Sequence, residues 1–198
     1  MRIISGSARG RRLLAPRGMR VRPTADRVKE ALFSSIISRE GSLEGKRVLD
    51  LCAGTGGLGI EALSRGAAEA VFVDNHRESV ELIARNIELA GFAMKGRVLA
   101  KEAQAALREL EGRGERFQLV FLDPPYRQGL SAQLLEALAG SRLLDDTTLV
   151  VAEFASGEEL AATFGVLREC GRRRYGDTSV AFFQTVPSSR FKPINLEP

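Results

Sequence analysis

Apolar residues recur along this chain in two rhythms. From Arg47 onward, short runs such as "VLDLC", "AVFVD" and "LVFLD" alternate with stretches whose apolar positions return every three or four residues. The expected strands cover 47–52, 70–74, 97–101, 118–123 and 148–153, and the expected helices 57–65, 76–90, 103–110, 131–138 and 158–164. In the second helix Val80, Ile83, Ala84 and Ile87 form a stripe that stops at Gly91; Ala103, Ala106, Leu107 and Leu110 do the same in the third. Near-continuous apolar runs suit strands buried on both faces, so the pattern predicts an α/β fold with a doubly wound, mostly parallel sheet. Ligands of such sheets meet the carboxyl ends of the strands.

Both flanks break the alternation. "VLRECGRRRYGDTSVAFFQTV" reads as two strands around a turn at Gly176-Asp177, an antiparallel addition to the sheet edge. Ahead of the sheet, "RIISGSARGRRLLAP" has strand-like ends and a glycine-broken middle, a candidate β-hairpin. "RPTADRVKEALFSSII" reads as a helix with Thr24 as N-cap, Asp26 in the first turn and a stripe of Val28, Ala31, Leu32, Ser35 and Ile36. "PSSRFKPINLEP" closes the chain as a loose tail.

Composition narrows the class. With 198 residues and 44% hydrophobic content the chain can close one core, and no apolar run approaches the length of about 18 residues that spans a membrane. Met1-Arg2-Ile3-Ile4 leads into arginines rather than a signal-peptide core, so a soluble, cytoplasmic protein is expected. Cys52 and Cys170 lie far apart without C-x-x-C spacing, which suggests neither a disulfide framework nor a metal site. Charge is uneven: residues 1–29 carry nine basic side chains against Asp26, a balance of +8, while the remaining 20 basic and 24 acidic residues give −4. A basic arm on a mildly acidic body fits a polyanion such as nucleic acid, the alternative being a solvated N-terminus.

Gly54-Thr55-Gly56-Gly57-Leu58-Gly59 follows the first strand as G-x-G-x-x-G, and Asp74 lies 20 residues beyond Gly54, as a dinucleotide enzyme would have them. Asp50 separates the readings. A carboxylate there would repel a pyrophosphate but attract the ammonium of an amino acid. S-adenosylmethionine presents an ammonium and a ribose diol without phosphate, so Asp50 near its methionine end and Asp74 on its ribose fit it. The alternative for Asp50 is a carboxylate that caps loop amides.

Asp123-Pro124-Pro125-Tyr126 follows the fourth strand at the same edge. Two prolines stiffen the turn, aiming the Asp123 carboxylate and the Pro124 carbonyl at one point beside the Tyr126 ring. An exocyclic amino group of a base offers two N–H donors and a π-face to match. Its lone pair is delocalised into the ring, and accepting both N–H bonds favours a pyramidal, more nucleophilic nitrogen. An ordinary proline-rich turn is the alternative, and a dehydrogenase gives no reason for the motif.

With both motifs placed, the sequence resembles class I amino-methyltransferases with (D/N)-P-P-(Y/F/W), and more narrowly the bacterial 16S ribosomal RNA guanine(966)-N2 methyltransferases. The resemblance rests on "RIISGSARGRRL", "RPTADRVKEALF", "VLDLCAGTGGLGIEALSRGA", "DPPY" and "YGDTSVAFF". It implies a Rossmann-like, seven-stranded sheet with a C-terminal antiparallel hairpin and a small N-terminal basic extension: an arm over 1–40, a methyltransferase domain over 41–186 and the tail over 187–198. It implies S-adenosylmethionine held by Asp50, Cys52, Ala53, Gly54, Thr55, Gly56, Asp74, Asn75 and Asp123. Glu102, with Gln104 as the other choice, would bind the adenine amino group, or Glu102 is simply a first-turn glutamate. Asp123, Pro124 and Tyr126 would be catalytic, and Pro125 and Tyr126 would contact the base. The acceptor would be the N2 of a guanine, guanine 966, in 16S rRNA within a small-subunit particle, and the enzyme a monomer.

Arg9, Arg11, Arg12, Arg17, Arg20, Arg22 and Arg27 are the candidate RNA-backbone contacts. Either Arg27 or Glu30 could line the site. Arg172, Arg173 and Arg174 read as a charged strand edge, His76 as a surface residue, Cys52 as a small core or loop-lining residue, and Tyr175 as packing beside the hairpin. Two other classes stay open: methylation of another planar amine, DNA adenine N6 or protein glutamine N5, and a non-catalytic RNA-binding module.

Overall fold

The computed structural model describes residues 1–16, 23–125 and 129–186. Arg17, Arg20, Arg22 and Tyr126, the side chain of Thr24 and the tail over 187–198 therefore lie outside the described residues. The elements are α1 (Pro23–Glu40), β1 (Arg47–Leu51), α2 (Gly57–Ser64), β2 (Glu69–Asp74), α3 (Arg77–Ala90), β3 (Gly96–Ala100), α4 (Ala103–Gly112), β4 (Phe117–Leu122), α5 (Leu130–Ala139), β5 (Leu144–Ala155), β6 (Thr163–Phe164), β7 (Leu167–Tyr175) and β8 (Thr178–Thr185). They build one sheet of order β3-β2-β1-β4-β5-β8-β7-β6. The first five strands in that order are parallel; β8, β7 and β6 join antiparallel.

Alternation along the buried strands divides the core. Val48, Phe72 and Phe121 point to one face, under Leu32, Phe33 and Ile36 of α1, Ile60 and Leu63 of α2 and Ile83 and Ile87 of α3. Leu49, Leu51, Val71, Val73, Val120 and Leu122 point to the other, under Leu107 and Leu110 of α4 and Leu134, Leu135 and Leu138 of α5. Both faces are covered, as parallel strands require.

Four expectations are corrected. The sheet has eight strands rather than seven, because Thr163-Phe164 pairs with Leu167-Arg168 instead of ending a helix over 158–164. Leu160 and Phe164 do have helical spacing and are buried, but Gly165 takes φ +47 and turns the chain so that Thr163-Phe164 pairs with β7 instead. Strand β5 begins at Leu144, not Thr148; the polar "DDTT" hid a start that the Phe117↔Leu144 pairing supplies. The buried stripe of α1 is Lys29, Leu32, Phe33 and Ile36, rotated from the expected one, and opens with a lysine that a hydrophobic pattern does not count. In α3 the buried set is likewise Ile83, Asn86, Ile87 and Ala90, and Ala84 faces solvent.

The N-terminal arm folds back on itself through the Arg2↔Arg12 bridge and the flanking Ile3–Arg11 and Leu13–Met1 hydrogen bonds, and lies on α1, α2 and α3. Glu61, fully buried in α2, accepts the Ile4 and Ser5 amides at 2.8 and 3.0 Å, the Lys29 ammonium at 3.2 Å and the Arg65 guanidinium at 2.8 Å. Ser64 accepts the Ala8 amide and donates to the Ser5 carbonyl. Buried charge of this kind holds only when every donor and acceptor is matched.

Candidate active site

At the carboxyl edge of the sheet the parallel ladders set acidic and polar residues side by side. Leu51 pairs with Val73 and with Leu122, and Leu122 with Ala152. One step further along the same registers lie Asp74, Cys52, Asp123 and Glu153, on β2, β1, β4 and β5 in spatial order. The Asp123 amide donates to the Leu51 carbonyl at 3.4 Å, so the ladder persists to that row.

The glycine loop fills the step from β1 to α2. Gly56 caps the helix at φ +75, and a Cβ on Gly59 would lie 2.4 Å from Phe72 Cε1, so helix and sheet touch only because that position is glycine. Above Gly54 a Cβ would meet nothing within 4 Å, leaving open space over the loop. Asp74 orders this edge by accepting the Gly54 amide through Oδ2 and the His76 amide through Oδ1, both at 2.9 Å. Asn75 donates to Glu102 across the β2–β3 ends. A ligand with a ribose diol would find both carboxylates along this rim.

Asp50 is 1% exposed and accepts the Gly59 amide at 2.9 Å, so it does cap a loop amide. Burial, with the charges of Asp123 and Asp74 adding to it, pushes its pKa up to about 8 against the pull of the Gly59 hydrogen bond. A cationic group brought alongside would restore its charge. Cys52 takes φ +60 at the end of β1, a left-handed conformation unusual for a side-chain-bearing residue, and packs against the α4/α5 side of the core. Burial, helped by the surrounding carboxylates, pushes its thiol up to about 12 and so disfavours the thiolate.

Asp123 is open to solvent on one side while Pro124 behind it is buried and Pro125 exposed. The protein packed around the carboxyl, and next the charge of Glu153, push its pKa up to about 7. The structure thus gathers Asp50, Cys52, Ala53, Gly54, Thr55, Gly56, Asp74, Asn75, Glu102, Asp123, Pro124 and Pro125 along one edge. A sulfonium nucleoside with an ammonium and a diol suits this set of buried acid, open glycine loop and rim carboxylates.

The comparisons with known proteins bear on this edge and on the arm together. Residues 1–184 match the family described as conserved hypothetical protein 95. A candidate rRNA methyltransferase of Bacillus subtilis, YlbH, is 38% identical over 93% of this chain and 98% of its own. Ribosomal RNA small subunit methyltransferase D of Escherichia coli K12 is 35% identical over 77% of this chain and 74% of its own. The chain belongs to this family of class I methyltransferases. Among solved structures, a candidate methyltransferase of Escherichia coli, yhhF, superposes with a TM-score of 0.81 at 31% identity, covering 94% of this chain and 98% of that one.

The family match spans the N-terminal arm of this chain as well as the sheet. In this methyltransferase a cavity of about 990 Å³ opens between the arm and α1, and Arg2, Arg9, Arg12, Arg27, Asp26 and Glu30 line it. Arg27 and Glu30 thus both face the cavity. Arg11 instead reaches the Leu89 carbonyl at 3.3 Å, on the C-terminal end of α3. Arg172, Arg173 and Arg174 are exposed on β7, whose outer edge β6 covers for only two residues; His76 is exposed and Tyr175 packs on the core. Among the described residues no group of three or more His, Cys, Asp or Glu is arranged to hold a metal ion, and no helix is long and apolar enough to cross a membrane.

Sequence reasoning missed three polar residues that wire the arm to the cofactor edge. Asn86, fully buried, exchanges hydrogen bonds with both backbone groups of Leu14 and donates to the Thr55 carbonyl at 2.9 Å. Glu61 and Lys29 complete the set. For Asn86 the available signal was a polar residue whose helical neighbours Leu82, Ile83, Leu89 and Ala90 are all apolar; Glu61, followed by Ser64 and Arg65, and Lys29, preceded by Asp26, carry no such signal.

Proposed function

We propose that this protein transfers a methyl group from S-adenosylmethionine to the exocyclic N2 of a guanine in 16S rRNA, guanine 966 by the resemblance of its sequence, within a small-subunit particle. The observation that carries the proposal is the adjacency of the Asp123-Pro124 turn to the Asp50, Gly54 and Asp74 edge, one strand apart. The names of the relatives support rRNA as the substrate. A distant fold neighbour at 15% identity, the candidate methyltransferase SMU.776, is complexed with SAH, the demethylated product of this cofactor.

When bound, S-adenosylmethionine supplies a methyl group on a positively charged sulfur that departs as a neutral thioether. Asp50, Asp74, Asn75 and Glu102, with residues 52–56, hold and orient it. Asp123 and the Pro124 carbonyl accept the two N–H bonds of the amino group and turn its lone pair toward the methyl carbon. As the new N–C bond forms, the nitrogen sheds one proton, and Asp123, with a pKa about 7, is suited to receive it. In-line positioning of this kind contributes on the order of 7–11 kcal/mol at best. Tyr126 would stack on the base, worth roughly 1–3 kcal/mol. Arg9, Arg12 and Arg27 at the cavity, with Arg11, Arg17, Arg20 and Arg22, would engage phosphates as a monomeric, cytoplasmic enzyme does in solution.

Transfer of labelled methyl to small-subunit particles, protein-free 16S rRNA and duplex DNA, followed by nucleoside analysis, tests the reading. N2-methylguanosine on the ribosomal substrate is expected. Asp123→Ala should lower transfer by at least about 100-fold while cofactor affinity is retained. N6-methyladenine, or full turnover in the variant, would overturn it.

A further inference from the structure

We infer that Glu153 reads the N1–H of the acceptor guanine and so determines which planar amine the Asp123 clamp accepts. This rests on the reading above, that the acceptor atom is an exocyclic amino nitrogen held at Asp123.

The argument begins from the sheet. Continuing the Leu122↔Ala152 pairing by one residue sets Glu153 beside Asp123 on the neighbouring parallel strand, about 4.8 Å away in the hydrogen-bonding direction. Alternation gives both residues the same face: Asp123 follows Phe121 and Glu153 follows Val151 by two, and Phe121 and Val151 both belong to the core beneath α1 and α2. Glu153 is half-buried, and its strand is pinned there by Ser131 Oγ, which donates to the Glu153 carbonyl at 3.4 Å, and by pairing with Val180 of β8. Its charge is felt at Asp123.

Order along the row gives the carboxylate its meaning. Asp74 lies at the ribose end, Cys52 and Asp50 come next, then Asp123, and Glu153 is one strand further from the glycine loop. A base whose amino group is held at Asp123 and whose ring edge extends toward β5 therefore meets Glu153. In adenine and cytosine the ring nitrogen beside the amino group is an acceptor, which a carboxylate repels. In guanine the amino group is flanked by N3, an acceptor, and by N1–H, a donor, so with the N1 side toward β5 two neighbouring donors face two neighbouring carboxylates. A primary amide of glutamine offers no second donor on its carbonyl side. Of the amines the clamp suits, guanine alone satisfies both acids.

The test uses the full chain with small-subunit particles reconstituted with either guanine or 2-aminopurine at the modified position. 2-Aminopurine keeps the amino group but has a bare N1 acceptor. The wild-type product is identified first: if it is not an N2-methylated purine, the underlying reading of the reaction fails, separately from the role of Glu153. Given that product, wild type should prefer guanine over 2-aminopurine by roughly 10- to 100-fold, the range of a charge-assisted hydrogen bond. Glu153→Gln should lose a similar factor in kcat/KM on guanine, keep its cofactor affinity within about 2-fold, and gain on 2-aminopurine relative to guanine, because the amide N–H can serve the bare N1. Equal use of both bases by wild type overturns the inference even if the variant does not fold. So does a variant that loses the same factor on both bases, or that keeps wild-type kcat/KM on guanine.

Discussion

Glutamine in place of Glu61 changes one atom of the side chain and leaves its volume intact, yet it should loosen the whole N-terminal arm. The two carboxylate oxygens share four donors in pairs: Ile4 N–H and Lys29 Nζ at Oε2, Ser5 N–H and Arg65 Nε at Oε1. An amide keeps one oxygen and turns an NH2 group toward the other pair. Whichever way it flips, one backbone N–H and one cation face a donor. Stranding the amide costs about 1–3 kcal/mol and losing the charge-assisted bond about 1.5–3 kcal/mol, roughly 3–6 kcal/mol together. At about 2–4 °C per kcal/mol for a chain of this size, Tm should fall by roughly 6–24 °C. Residues 1–16 can swing into water and recover some of that loss, which favours the lower end. Thermal unfolding by circular dichroism measures the fall, and amide hydrogen exchange at Ile4 and Ser5 locates it. A Tm within about 2 °C of wild type, with both amides still protected, would refute the reasoning.

Further expectations concern the cofactor edge. The Asp50 carboxyl, ordinarily near 3.8, is pushed up to about 8 in the folded chain, so its contribution to stability is complete below the ordinary value and lost as pH rises toward 8. Without cofactor, Tm should therefore decline between about pH 5 and about pH 8, more steeply in wild type than in Asp50→Asn; parallel profiles would contradict the assignment. Asp123 acts with the same sign through about 7, so the variant should retain part of the slope. Gly59→Ala would drive a methyl group into Phe72, costing about 1–3 kcal/mol and weakening cofactor binding as α2 is displaced. Calorimetry showing unaltered affinity and stability would mean that α2 yields without consequence.

The sequence by itself determined the alternation of β and α, both candidate motifs and the antiparallel close of the sheet, because each is a local property. "VLDLC" and "LVFLD" are nearly all apolar since their strands are buried on both faces, Gly56 permits a left-handed turn that other residues resist, and the double proline of Asp123-Pro124-Pro125 restricts the backbone wherever it occurs. The stripe of α1 was misread because Lys29 is buried by virtue of Glu61, a residue 32 positions away in another helix. The strand β6 was taken for helix because its evidence is a partner, Leu167-Arg168, and not a period. Asn86 looked like one more polar residue of α3 until folding brought Leu14 and Thr55 to either side of it. Glu153, in the same way, is an unremarked acid in an apolar run, and only the register of β5 against β4 sets it beside Asp123. Period and propensity report what a residue does to its own backbone; pairing, burial and charge partnership depend on which distant segment arrives, and that was decided by the tertiary structure.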